Sequence, residues 1–209
     1  MFYDYVFGLI GCIGGGKSYR LQSFIDDVTA KGYKVVTGDF SDGIRDLVTY
    51  IITGIMANNI DVNSEKYGQW KGQIVGKIKD PSTMDDYMLS GRDLLRNVGE
   101  GTKWIAGLDV WAKYTGEKVY NAAVNVKGAG VIFGSVRFSA EAEAVCRVAK
   151  LLHRSPKFIF CDYHSPRYDC TSDHVSERLA QAILHRGATD GEDVTNHVKQ
   201  ILWKNSTSF

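Results

Sequence analysis

Short apolar runs alternate along the chain with longer stretches in which apolar residues recur every three or four positions. Runs of the first kind predict strands, and spacing of the second kind predicts amphipathic helices. We expect strands near 5–10, 33–37, 131–136 and 157–161. We expect helices from about residue 16, over 44–52, from about 91, from about 109, over 140–152, from about 173, and over 194–202. This alternation predicts an α/β fold with a mostly parallel sheet covered by helices, which binds ligands at the carboxyl ends of its strands.

The order of these elements predicts one domain with two additions to its core. The length of 209 residues fits such a domain. We expect an α/β core at about 1–40 and 116–209, a helical insertion at about 41–115, and a small lid at about 162–173. Within the insertion, residues 58–80 are polar and contain glycines, so we expect an irregular excursion there. The stretch S-G-R-D at 90–93 resembles a capping box that opens a helix.

A glycine-rich segment between the first strand and the first helix indicates the chemistry. Residues 11–18 read G-C-I-G-G-G-K-S, which fits the G-x-x-x-x-G-K-[ST] pattern of a phosphate-binding P-loop at every fixed position. Glycines let main-chain N–H groups turn inward around phosphate oxygens, and the positive end of the following helix adds to the anion site. In such a loop Lys17 reaches the β- and γ-phosphates, and the Ser18 hydroxyl ligates Mg²⁺. The predicted nucleotide-binding residues are Gly11, Gly14, Gly15, Gly16, Lys17 and Ser18.

Composition narrows the function classes only modestly. The net charge of +1 exerts no global pull on nucleic acid or on a membrane. No segment approaches the roughly 18 unbroken apolar residues of a membrane span, and the N-terminus lacks the basic region and long apolar stretch of a secretory signal. Four cysteines in a chain of this size do not suggest a disulfide scaffold, and we interpret the Cys12 thiol as a bystander in the P-loop and not as a nucleophile. We therefore expect a cytoplasmic protein with no membrane partner and no direct nucleic-acid partner.

Four further stretches match the pattern of one family. They read F-S-D-G-I-R-D at 40–46, G-R-D-L-L at 91–95 followed by D-V-W at 109–111, S-V-R-F-S-A-E-A-E-A at 135–144, and H-V-S-E at 174–177. Together with the P-loop, they resemble in order the motifs of the bacteriophage deoxynucleoside monophosphate kinases, which belong to the P-loop nucleoside-monophosphate kinase group. The family's corresponding segments are F-A-D-P-L-K-E, R-x-L-L-Q followed by D-x-W, D-V-R-F-x-N-E-A-E, and H-x-S-E. The resemblance covers most of the chain.

This resemblance implies a reaction. A kinase of this type transfers the γ-phosphoryl group of ATP, with Mg²⁺, to a deoxynucleoside monophosphate (dNMP), and yields ADP and the diphosphate for viral DNA synthesis in the host cytoplasm. The insertion would bind the acceptor. The chain departs from the family pattern in three places: Ser135 stands where aspartate is frequent, Gly43 replaces a proline, and Lys103 is the cation nearest to a usual arginine.

Phosphoryl transfer requires cations around both sets of phosphates and exclusion of water. Arg137 directly follows a buried strand, Arg92 lies in a first helical turn where a cation opposes the helix dipole, and Arg167 lies in the predicted lid. The predicted catalytic residues are Lys17, Arg92, Arg137 and Arg167. The predicted substrate-binding residues are Asp39, Asp42, Arg45, Arg92, Lys103 and Arg137. The structural alternatives are a salt bridge from Arg137 to Glu141, solvated charges for Arg92 and Arg167, and turn or N-cap roles for Asp39 and Asp42.

Other interpretations of the sequence remain open. Residues 158–162 fit a Walker B strand, in which Asp162 would hold the Mg²⁺ shell of an ATPase. Another small-molecule P-loop kinase and a nucleotide-gated binding module are also compatible with the P-loop. Exposed helices of the insertion are compatible with a homodimer. A zinc site at the lid would use Cys161, His164, Cys170 and His174.

Overall fold

A computed structural model describes residues 2–52, 69, 72–79, 86–162, 169–171, 177–187 and 191–206. The chain divides into two compact units: Met1–Phe40 with Trp111–Phe209, and Ser41–Val110. The strands are β1 (Tyr5–Ile10), β2 (Val35–Gly38), β3 (Ile74–Lys79), β4 (Asp86–Ser90), β5 (Gly130–Val136) and β6 (Ser155–Phe160). The helices are α1 (Lys17–Ala30), α2 (Asp42–Ile52), α3 (Gly91–Ala106), α4 (Val110–Asn125), α5 (Ser139–Leu151), α6 (Arg178–Leu184) and α7 (Gly191–Ser206).

The first unit is built on a four-stranded parallel sheet in the order β2-β5-β1-β6. This confirms the predicted α/β class and the parallel pairing. Every residue of β5 is buried, as expected of an inner strand in a parallel sheet with both faces covered. Because all four strands point the same way, their carboxyl ends meet at one edge, where the P-loop follows β1.

The two faces of the sheet have separate apolar cores, and the period of two along the strands explains the division. Val6 and Ile10 of β1 lie in a large cluster with apolar residues of α4, α5, α6 and α7, whereas Phe7 and Leu9 lie in a smaller cluster against α1. Phe7 and Phe24 of α1 are in ring contact, with centroids 5.3 Å apart. The helix that follows the P-loop is thereby packed against the strand that precedes it.

The second unit contains α2, α3 and an antiparallel pair formed by β3 and β4. The predicted capping box opens α3: the Asp93 N–H donates to Ser90 Oγ at 3.2 Å, and the Ser90 N–H donates to the Asp93 carboxylate at 3.2 Å. The expectation of an irregular excursion over 58–80 is wrong for 74–79, which form β3. The reason is that pairing with β4 supplies main-chain hydrogen bonds that the local sequence does not reveal. None of the helices in the described ranges is long and apolar enough to cross a membrane.

Candidate functional site

The P-loop adopts a conformation that depends on glycine. Gly14 and Gly16 have φ values of 72° and 74°, in the left-handed region that other residues avoid. The Gly15 N–H closes a tight turn by donating to the Cys12 carbonyl at 3.0 Å. Gly16 precedes α1 and offers no side chain to cap it. The N–H groups of the first turn of α1 therefore receive no side-chain cap from this position, and such groups at a helix start can bind an anion.

The end of β6 closely supports this loop. A Cβ atom added at Gly15 would lie 2.7 Å from the main-chain oxygen of Cys161 and 3.0 Å from that of Cys12. Such distances are too short for any larger residue without displacing main chain. Glycine at this position therefore permits the close approach of two main-chain segments, which brings Cys161 against the loop.

A cavity of about 580 Å³ opens over the P-loop. This volume suits a nucleotide-sized ligand. The lining residues are Ile13, Gly14, Gly15, Gly16, Lys17, Ser18, Tyr19 and Arg137. The structure therefore brings two predicted catalytic cations, Lys17 and Arg137, to one cavity, although they are far apart in the sequence.

Lys17 lies across the loop from which it projects. Its ammonium donates to the carbonyl of Gly11 at 2.6 Å and to that of Cys12 at 2.9 Å. Burial, and then the charge of Arg137, lower the pKa of Lys17 below its ordinary value. The groups that oppose this shift are Glu177, Cys161 and Asp39. A phosphate anion in the cavity would likewise favour the charged ammonium.

Arg137 follows β5 directly and is exposed. Its Nε donates to Ser135 Oγ at 3.0 Å, so the serine that replaces the family's aspartate contacts this guanidinium. The alternative of a side-chain salt bridge between Arg137 and Glu141 is wrong. The Glu141 carboxylate instead accepts the main-chain N–H groups of Arg137 at 2.6 Å and Phe138 at 3.2 Å.

Glu141 is a buried acid next to this site. Burial raises the pKa of its carboxyl to about 7, even though the two N–H bonds and the Arg137 charge favour the ionised form. The nearby charge of Asp39 adds to the increase in pKa. The carboxyl group therefore anchors the main chain that carries Arg137 while titrating near neutral pH.

A distant segment of the chain also contacts the P-loop. Cys12 and Cys170 form a disulfide, with their Cα atoms 5.2 Å apart. The Asp169 N–H donates to the Ile13 carbonyl at 2.9 Å, and the Glu177 carboxylate accepts the Ile13 N–H at 2.9 Å. Cys12 thus has no free thiol to act as a nucleophile, and it joins the loop to this distant segment. Sequence spacing could not reveal this pair, because 158 residues separate its members.

The remaining predicted substrate residues lie in different places. Asp39 comes directly after β2 in the first unit, at the same sheet edge as the P-loop. Asp42 and Arg45, in the second unit, form an ion pair along the first turn of α2, and the Arg45 guanidinium donates to Ser41 Oγ at 2.5 Å. Two further cations belong to α3: Arg92 is exposed, and Lys103 pairs with Glu100 at 2.9 Å. Arg92 is thus an exposed charge, as its structural alternative predicts, whereas the side chains of Arg45 and Lys103 are mostly covered and ion-paired.

Several predictions concern residues of the expected lid. Arg167, His164 and His174 lie outside the described residues. Among the residues that are described, no group of three or more histidine, cysteine or acidic side chains could hold a metal ion. Cys170 is in a disulfide, and burial raises the pKa of the Cys161 thiol to about 11. The alternative of a zinc site thus has no support from its described members, Cys161 and Cys170.

Comparisons with known proteins add no identification: a scan against known protein families and a search of curated proteins both found no match.

Proposed function

We propose that this chain is a P-loop deoxynucleoside monophosphate kinase that transfers the γ-phosphoryl group of ATP to a dNMP. The observation that carries the proposal is the shared cavity, in which the P-loop, the start of α1 and Arg137 face one volume. A P-loop alone indicates only a nucleoside triphosphate. A second cation at the same cavity is what transfer to a phosphorylated acceptor requires.

The residues present fit a bound nucleoside triphosphate. Its phosphates would lie against the N–H groups of the loop and of the first turn of α1. The residue before that turn is Gly16, which has no side chain to cap these groups. Lys17 is already held over the loop and would exchange its carbonyl partners for phosphate oxygens. Ser18 would hold Mg²⁺, which supplies charge neutralisation between the phosphate groups.

Arg137 would act on the transferring group or on the acceptor phosphate. Its guanidinium presents several donors in a planar fork that suits phosphate oxygens. Ser135 and Glu141 hold its side chain and its main chain, so that little freedom is lost on binding. The family resemblance supports the same role, and it extends the acceptor-binding proposal to Asp39, Asp42, Arg45, Arg92 and Lys103. The cytoplasm, of the host if the protein is viral, is the proposed location.

The test is ADP release from ATP and Mg²⁺ against a panel of dNMPs and ribonucleoside monophosphates. We expect release to depend on one or more dNMPs and to be lost in Lys17→Ala. Lys31→Ala, which removes an exposed lysine just after α1, is the matched control and should retain activity. Stimulation by an acceptor other than a nucleoside monophosphate would favour another small-molecule kinase.

An ATPase is the second candidate, and one observation favours it. Asp162 follows β6, which is the direct neighbour of β1, and the preceding residue contacts the P-loop. An aspartate at this place suits a Walker B role toward Mg²⁺. If ATP turnover is the same with and without every acceptor, the kinase is refuted. If this turnover is also lost in Asp162→Asn, the ATPase alternative is established.

A further inference from the structure

Glu177 is a buried acid that contacts the P-loop from a distant part of the chain. It directly precedes α6, and only 1% of its surface is exposed. Its carboxylate accepts the Ile13 N–H at 2.9 Å across 164 residues of sequence. A buried carboxylate is costly unless it is held by donors or charges. The contact with the P-loop is therefore a specific feature of the fold.

Ile13 is held through both of its main-chain groups. Its N–H donates to Glu177, and its carbonyl accepts the Asp169 N–H at 2.9 Å. The neighbouring carbonyl of Cys12 accepts both the Gly15 N–H and the Lys17 ammonium. The orientation of the peptide groups around Ile13 thus influences the turn of the loop and the position of its lysine.

Glu177 also supplies negative charge to a site that holds two cations. The titratable and charged groups that act on the Lys17 ammonium are Arg137 after β5, Glu177 before α6, Cys161 after β6 and Asp39 after β2. Arg137 and burial disfavour the charged ammonium, and Glu177 is the strongest of the groups that favour it. Loss of this carboxylate would therefore make Lys17 easier to deprotonate.

We propose that Glu177 is a positioning residue for phosphate binding, because its carboxylate fixes the Ile13 amide of the P-loop. The identity of the ligand, a nucleoside triphosphate, rests on the proposed function. The anchoring of the loop does not depend on it. Since the Ile13 N–H is engaged by Glu177, the phosphate donors must be the other N–H groups of the loop and of α1.

Two substitutions separate the two roles. Glu177→Gln keeps an oxygen that can accept the Ile13 N–H but removes the charge, and Glu177→Ala removes both. Glu143→Gln, at an exposed site on α5, is the control. Each protein is measured in two ways: hydrogen exchange of the peptide covering residues 11–18 without nucleotide, and affinity for ATP with Mg²⁺ over a range of alkaline pH. Circular dichroism and thermal melts verify that each variant is folded.

We expect faster exchange of the 11–18 peptide in Glu177→Ala, and ATP affinity at least about tenfold weaker, as for a lost hydrogen bond to a charged group. Glu177→Gln should keep near-wild-type exchange. As the pH is raised, however, its ATP affinity should begin to fall at a lower pH than that of the wild type, because Lys17 loses its proton earlier. A purely structural role would not move this pH midpoint.

Two results would overturn the proposal. Unchanged exchange in folded Glu177→Ala would refute the anchoring role, and an unchanged alkaline midpoint in Glu177→Gln would refute the electrostatic role. If the wild-type protein binds no nucleoside triphosphate, the proposed function fails and the phosphate role of Glu177 fails with it. The exchange measurement needs no nucleotide, so it tests the anchoring separately.

Discussion

The buried carboxyl of Glu141 should make the stability of this protein depend on pH in a direction opposite to that of an ordinary ion-paired acid. Glu141 is 8% exposed, and burial raises its pKa from 4.5 to about 7. The perturbation is Glu141→Gln, which keeps an oxygen to accept the N–H groups of Arg137 and Phe138 but cannot ionise. Glu143→Gln, at an exposed position on the same helix, changes the same chemical group without the burial.

The size of the effect follows from proton linkage. Below pH 4.5 the carboxyl is protonated in both the folded and the unfolded state. Between 4.5 and about 7 only the folded state holds the proton, so the free energy of unfolding falls as the pH rises. Above about 7 both states are ionised and no further change occurs. A shift from 4.5 to about 7, at 1.36 kcal/mol per pH unit, corresponds to about 3 kcal/mol lost across this window.

The assay is urea denaturation at a series of pH values on both sides of this window. The informative quantity is the free energy of unfolding of the wild type minus that of Glu141→Gln, because other titrating groups cancel in the difference. We expect the difference to fall by about 3 kcal/mol from acid to neutral pH. Glu143→Gln should remain parallel to the wild type. Parallel curves for the wild type and Glu141→Gln would refute the argument that burial controls this carboxyl.

Three further predictions follow from the P-loop and its contacts. Gly15→Ala should weaken ATP binding at least tenfold and lower the free energy of unfolding in urea by about 1–3 kcal/mol, because its Cβ would meet main-chain oxygens. Gly101→Ala, with open space around it, is the control. Unchanged binding in Gly15→Ala would contradict the close contact. A dithiol reductant should lower the free energy of unfolding by about 5 kcal/mol in the chain-entropy model, because the Cys12–Cys170 bond spans 158 residues. Cys12→Ser should match the reduced protein and not respond to the reductant, whereas an equal response in both proteins would exclude this bond as the cause. Arg137→Lys should lower dNMP-dependent turnover about tenfold or more while ATP affinity changes little, since a point charge replaces a planar fork; full turnover would exclude a bidentate role.

The sequence could predict the features that depend on local pattern. The glycines and the lysine of the P-loop, an apolar strand before them and an amphipathic helix after them are all read within about 30 residues, and the structure has β1 and α1 in those places. The almost wholly apolar run at 131–136 also predicted a buried strand, since both faces of a parallel sheet are covered. Ser90 and Asp93 lie three residues apart, so their capping box is also visible in sequence.

Only the tertiary structure decided which distant groups meet. The strand at 74–79 depends on pairing with β4, and the Cys12–Cys170 bond and the contact of Glu177 with Ile13 join residues 158 and 164 positions apart. A contact at short range was also misjudged. The sequence shows the opposite charges of Arg137 and Glu141 about one turn apart, but it does not show that the Glu141 carboxylate accepts main-chain N–H groups. The local pattern thus predicted a glycine-rich loop between β1 and α1, and the structure has it there. The packing of the sheet determined what surrounds the loop, since burial and long-range contacts arise only when the parallel strands bring their carboxyl ends to one edge.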